Sequence, residues 1–424
     1  MNPNLVNATS CEGLAFKRVR HDHATVPPAM LRPDHPAMTL LLGALVAVAP
    51  LAMDIYLPAM PAMTAALRAT PEEVQLTVSV YMFGWGMAQL FAGPLADRFG
   101  RKPTLNGGLL VFVVASIACA LARSIDMLIA ARFVQALAMA TVVVVPRAIV
   151  RDLYAGDRAA HALSTMMLVL AVVPVVAPLV GAELSVRIGW RSNFTFVAIC
   201  GALAWAAVRY GLPETLALRD QHALKLGRMA GNWQEALRSR QLVGFLLVVT
   251  FATCGLFAFL AGSAFVFVDG MSTGERGYAV YFGLVMLGSF IGAWLARRIV
   301  VGIGLRRVIA LGTVLLMLAG SMLAALAWSD VRHPLAVALP MLLYMVAYMF
   351  AVPQATAGAL TPFPHIAGSV ASLLSFVQLV GAATCAFIVG AVYDGTGRPM
   401  ATAIAVASLL AFVASRTLVP PNRA

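Results

Sequence analysis

Runs of about twenty uncharged, mostly apolar residues alternate with short polar stretches along almost the whole chain, which is the period expected of helices that cross a bilayer. Each such helix must span about 30 Å of hydrocarbon with every backbone polar group satisfied inside the segment. Twelve runs qualify, at 37–58, 73–94, 104–123, 127–149, 162–185 and 192–212, then 241–268, 277–297, 305–328, 335–357, 367–392 and 398–417. Between the sixth and seventh lies the longest internal polar stretch, "PETLALRDQHALKLGRMAGNWQEALRSR". The pattern predicts a tail at 1–36, a six-helix bundle at 37–212, a linker at 213–240, a second six-helix bundle at 241–418 and a short tail at 419–424. An all-α membrane protein is the fold class.

Composition agrees, with 61% apolar and 11% charged residues, far outside the soluble range. The net charge of +12 does not point to nucleic acid, because the cations fall in small groups between apolar runs rather than on one face with aromatic readers. With the N-terminus placed in the cytoplasm, 22 Lys and Arg fall on cytoplasmic segments, seven on outer ones, and only Arg132 inside a span. That bias puts both termini in the cytoplasm. Residues 1–36 carry no apolar core of a secretory signal and read as a disordered cytoplasmic tail. Four of five cysteines lie in apolar runs and read as small packing residues, and the seven histidines fall in tails, loops or span ends. Neither set suggests an intramembrane metal site, a disulfide framework or a histidine proton relay.

The two halves share a faint repeat. "GPLADRFGRKP" at 93–103 ends the second span and "GAWLARRIVVGIGLRR" at 292–307 ends the eighth, with their first glycines 199 residues apart. "LVGA" at 179–182 returns at 379–382, in the fifth and eleventh spans. Two nearly equal offsets joining equivalent spans favour duplicated bundles.

Two ionisable residues stand out by depth. Asp54 is the sole charge between Ala37 and Met63, and Arg132 lies about 7 Å below the outer end of the fourth span at 1.5 Å per residue. Intramembrane charges are costly and persist facing a bundle interior, a wet cavity or a partner. Two readings of each stay open. Asp54 either couples protons to transport or merely caps a helix broken by Pro58 and Pro61 or sits in a wet outer vestibule, and Arg132 either meets the bundle interior or snorkels to the surface. Glu183, within a turn of the fifth span's outer end, reads as interfacial rather than coupling. The fifth span also carries Pro174 and Pro178, which should bend it. In the loop after the second span, Gly93 and Gly100 suit close helix approach and a tight turn, and Asp97 suits a helix N-terminus or a nearby Arg as partner. Arg98, Arg101 and Lys102 suit anionic headgroups. The loop is either a conformational latch or a simple positive-inside anchor.

The "GPLADRFGRKP" stretch resembles the loop signature of the major facilitator superfamily. "MDIYLPAMPAM", "RFVQALAMATVVVVPRAIVRDLY" and "APLVGAEL" are similar to its bicyclomycin and chloramphenicol resistance (Bcr/CflA) branch of drug:proton antiporters. The resemblance implies twelve transmembrane helices in two pseudo-symmetric six-helix bundles, in a bacterial inner membrane. It also implies a monomeric drug exporter driven by the proton gradient, with no cofactor and no enzymatic chemistry. It carries a latch role onto Gly93, Asp97, Arg98, Gly100, Arg101 and Lys102 and an antiporter-helix role onto Pro174, Pro178 and Gly181, while proton coupling at Asp54 and Arg132 rests on their shared depth and on the pull of a guanidinium on a buried carboxyl. The chain departs from the family pattern where Ala177, Ala182 and Ala136 replace common glycines. For the substrate cavity the candidates are Tyr56 and Gln135, beside the proposed pair, and Phe257, Tyr344 and Tyr348 from an aromatic second half. Small amphipathic drugs are the expected substrates, with a small metabolite as the alternative cargo.

Overall fold

The computed structural model describes residues 35–224 and 226–419. The tail proposed for 1–36 therefore lies almost wholly outside the described residues, as does most of 419–424. Fourteen helices follow one another without a strand among the described residues, and twelve spans are built from thirteen of them. The first span is α1 (Pro36–Asp54), a 3-10 turn at Leu57–Ala59 and α2 (Met60–Leu67). The next five are α3 (Pro71–Phe99), α4 (Arg101–Ala120), α5 (Ile125–Leu153), α6 (Gly156–Ile188) and α7 (Arg191–Gly211). After α8 (Leu226–Leu237) come α9 (Arg240–Ala264), α10 (Gly274–Ile303), α11 (Leu305–Trp328), α12 (Pro334–Leu360), α13 (Ala367–Ala391) and α14 (Arg398–Leu418).

Eleven of the spans are long and apolar enough to cross a membrane. The twelfth, α3, is 29 residues long but less apolar, because it buries Gln75, Thr77, Ser79 and Gln89 between α5 of its own half and α13 of the other. Its start is firmly set: Thr70 accepts from the Glu73 amide and the Glu73 carboxylate accepts from the Thr70 amide, a reciprocal cap.

Pseudo-symmetry is visible in the packing. In the first half α6 lies on α1, α5 on α3 and α4, and α7 on α4; in the second, α13 lies on α9, α12 on α10 and α11, and α14 on α11. The "LVGA" repeat explains one of these pairs. A Cβ at Gly181 would sit 1.7 Å from the Ile55 carbonyl, and one at Gly381 would sit 2.5 Å from Thr250 Cγ2. Both glycines thus let the fifth span of a half cross close to its first span, against backbone at Gly181 and against the Thr250 side chain at Gly381, the small-residue contact that membrane helices use. Gly100 and Gly304 form a second matched pair, opening α4 and α11 at φ +105° and +83° with ψ near 157°, a conformation open to glycine.

The halves meet along α3 against α13 and α6 against α10. On the side that charge assigns to the exterior, the turn after α1 also packs on α9 and α10. Glu183 of α6 there pairs with Arg276 of α10 at 2.7 Å and with Arg187 at 2.8 Å. The main packing partners of α5 are α1, α3, α4 and α6, all of its own half. The arrangement is sealed outside. Within the linker, α8 docks on the start of α13 through Asn232 to Ser369 Oγ at 2.9 Å and Trp233 to the Ser369 carbonyl at 3.2 Å.

Candidate functional site

Pro58 has no N–H to give the carbonyl of Asp54, and Pro61 none for Leu57, so regular α-helix stops at Asp54. The acid therefore stands at a break in the first span, at the level where that span touches the second half, and is only 5% exposed. Gly181 holds α6 against the next residue, Ile55. Among the described residues the carboxylate has no hydrogen bond and no ion pair. Neither the 3-10 turn nor α2 has a side-chain cap. The capping role weighed for Asp54 is thus not the one it plays here.

Arg132 is fully buried and does not snorkel. Its Nη1 donates to the Ala52 carbonyl at 3.0 Å and to Gln135 Oε1 at 2.7 Å, and Nη2 lies 3.9 Å from Met53 Sδ. Three rings surround the guanidinium, with centroids at 3.9 Å for Tyr81, 4.5 Å for Tyr56 and 5.9 Å for Phe194. Such cation–π contacts stabilise a desolvated cation by about 2 kcal/mol. Gln135 passes the chain on to Ser116 Oγ at 2.7 Å, and Tyr56 OH shares a hydrogen bond with Thr77 Oγ1 at 3.2 Å. Nε of Arg132 has no partner.

Tyr56 and Gln135 are thus gathered round Arg132 as expected, but as its buried cage rather than the wall of an open cavity. Tyr344 departs from the cavity expectation altogether: it is fully buried, donates to the Ala252 carbonyl at 2.7 Å and fills the space left by Gly255. Tyr348 is half-buried in a chain with Thr253 and Gln378, at 3.3 and 2.9 Å, that joins α12, α9 and α13. Phe257 is half-buried on α9. Pro174 and Pro178 lie inside one unbroken α6, with Pro178 buried.

In the loop between α3 and α4, Arg101 is the hub. Its guanidinium bonds Asp97 one turn earlier and Asp152 of α5 at 2.9 Å, while Glu214 accepts from the Arg101 and Lys102 amides at 3.0 and 3.3 Å. Asp97 thus takes an Arg as partner, and the hub joins α3, α4, α5 and the start of the linker rather than a helix of the second half. Arg98 lies over the Phe99 ring. Gly93 does not support the close approach expected of it, since a Cβ there meets nothing within 4 Å. Asp152 and Glu214 escaped the sequence reading, although "VRDLY" and "PET" place an acid at the inner ends of the fourth and sixth spans. So did the Glu183–Arg276 contact, which joins helices 93 residues apart. Arg147, counted from sequence with the cytoplasmic charges, lies inside α5.

Residues 42–386 match the family model described as Major Facilitator Superfamily. The chain belongs to that superfamily. It is 29% identical over 390 residues to a bicyclomycin resistance protein homolog of Haemophilus influenzae, covering 89% of this chain and 96% of that one. To a chloramphenicol resistance protein of Pseudomonas aeruginosa it is 34% identical over 349 residues, 80% of each chain. Multidrug resistance protein D of Escherichia coli is 28% identical over 373 residues, covering 87% and 92%. These likenesses fall in the Bcr/CflA branch. Among solved structures, the inward open xylose transporter XylE from E. coli superposes with a TM-score of 0.73 at 13% identity, covering 91% of this chain and 97% of that one. That match shows the fold. The superfamily member described here is a multi-pass membrane transporter.

Proposed function

We propose that this transporter exports small amphipathic drugs in exchange for protons across a bacterial inner membrane, working as a monomer without a cofactor. The observation that carries the reading is an unpaired carboxylate, Asp54, at a helix break on the seam between the halves, two residues from the carbonyl that holds the buried Arg132. A fixed structural ion pair would not leave both charges apart in a low-dielectric interior.

Moving the guanidinium relative to the carboxylate changes whether Asp54 holds or releases its proton, because a nearby cation favours the ionised form and desolvation the neutral one. Rocking of the halves supplies that motion. In the arrangement sealed outside, Arg132 is held by Ala52 and Gln135 with Nε unused. Reopening the outer seam breaks Glu183 from Arg276 and shifts α6 on the Ile55 backbone, which moves Asp54 with it. A substrate that competes with the proton for Asp54 then makes export and proton entry alternate. The relatives named for bicyclomycin, chloramphenicol and multidrug resistance support drugs as cargo. The test is a susceptibility panel in an efflux-deficient host: wild-type protein raises tolerance to chloramphenicol-like and other amphipathic drugs. Unchanged tolerance across the panel with normal membrane expression would favour a metabolite cargo.

A further inference from the structure

A groove of about 720 Å³ runs down the lipid-facing side of the second half between α9, α13 and α14. Along α14 it extends from Arg398 through Thr402 and Val406 to Leu410, about 18 Å at the helical rise. That is a little over half the hydrocarbon thickness, the depth of one leaflet. Its rim residues Ile388, Val392, Val406 and Leu410 are 41–55% exposed, so it opens sideways into the bilayer and fills from lipid rather than from water. Gly381 and the crossing of α13 over α9 keep its floor close-packed.

Charges of both signs sit only at the outer end. Arg398 pairs with Asp330 at 2.7 Å and lies over the Trp328 ring at 5.2 Å, a third of its side chain remains open, and its Nε–H has no partner. Trp328 in turn donates to Thr402 Oγ1 at 3.1 Å, a belt position for an indole. Asp394, also at the mouth, accepts from the Thr396 hydroxyl at 2.6 Å, which holds its carboxyl below the usual range. The groove lining holds one acid, Asp394, and one guanidinium, Arg398, already paired with Asp330 outside the lining, so the mouth does not favour a purely anionic headgroup. It complements one that carries both a phosphate and an ammonium group.

We propose that this groove is a specific site for one amine-headed zwitterionic phospholipid of the outer leaflet, with an acyl chain lying along α14 and the headgroup held between Arg398 and Asp394. The site is independent of the drug-export reading and of the Asp54 machinery.

The test is titration of the detergent-purified full chain with phosphatidylethanolamine or phosphatidylglycerol of identical acyl chains, with bound lipid read by native mass spectrometry. Loss of one charge-assisted contact corresponds to about tenfold in affinity, so the wild type should hold the ethanolamine lipid about tenfold more tightly. Asp394→Asn and Arg398→Gln should each abolish that preference. Val406→Trp, which fills the groove from an exposed position and leaves the mouth intact, should remove the tight site for either lipid. Equal retention of the two lipids by the wild type, or tight retention by a folded Val406→Trp protein, would overturn the proposal. So would displacement of the lipid by chloramphenicol, which would make the groove a drug site.

Discussion

The guanidinium of Arg132 holds the carbonyl of Ala52 at 3.0 Å and leaves the carboxylate of Asp54, two residues further along the same span, without a partner. The two ionisable groups lie at one depth yet do not pair, because the guanidinium is turned into a cage of Tyr56, Tyr81, Phe194 and Gln135. Asp54 instead stands at the helix break whose turn packs on α9 and α10 of the other half.

The cage encloses a planar cation. Arg132→Lys keeps the charge but loses the flat guanidinium that Tyr81 and Tyr56 cover and the longer reach that brings Nη1 to Ala52 and Gln135. Transport in vesicles should fall by at least about tenfold, the cost of one or two charge-assisted hydrogen bonds. Wild-type rates with Lys would mean that only a positive potential is needed at this point.

Gly181→Ala should be among the most damaging single-methyl changes in the chain. Its Cβ would stand 1.7 Å from the Ile55 carbonyl, so α6 and α1 must separate, at about 1–3 kcal/mol. Thermal unfolding in detergent should shift down and transport should drop. Gly93→Ala, with open space around it, is the matched control and should leave the unfolding temperature unchanged.

Much of this architecture was legible in the chain. The twelve spans follow from apolar runs, and the offset repeats correctly joined equivalent helices, since the glycines of "LVGA" mark the same crossing in each half. Asp54 and Arg132 were visible because charges are rare at that depth. What sequence could not give was direction. Nothing in "RFVQ" tells that Arg132 turns toward the Ala52 carbonyl rather than Asp54, and nothing around Tyr344 distinguishes a cavity aromatic from one packed into Gly255. The hub at Arg101 depends on Asp152 and Glu214, which lie 51 and 113 residues away. Long-range polar contacts leave no local period to read.

That hub makes a second kind of prediction. Arg101→Lys should loosen α3 from α5 by losing one of the two acids that the fork joins, and Asp152→Asn should do the same from the other side. Both variants should reach the membrane but transport several-fold more slowly, and the double variant should be little worse than either single one. Additive losses would mean that the two residues act separately.

The outer seal is testable by charge. Glu183 and Arg276 are 42% and 59% exposed, so water and salt screen their pair. Glu183→Gln should therefore shift the population only modestly toward an outward-open form. Distances between spin labels on the outer ends of α6 and α10 report that shift. The exchange Glu183→Arg with Arg276→Glu should largely reverse it, although Arg187 would then face a like charge. An unchanged distance distribution in Glu183→Gln would remove this pair from the seal.

The most direct measurement places purified Asp54→Asn protein in liposomes and follows drug movement and proton movement together under an imposed pH gradient. Asparagine keeps the shape and the helix break but cannot exchange a proton. The account predicts that proton-driven drug accumulation and the matching proton flux both disappear, while binding of neutral drugs is largely kept. Proton-coupled transport by Asp54→Asn at the wild-type rate would contradict it.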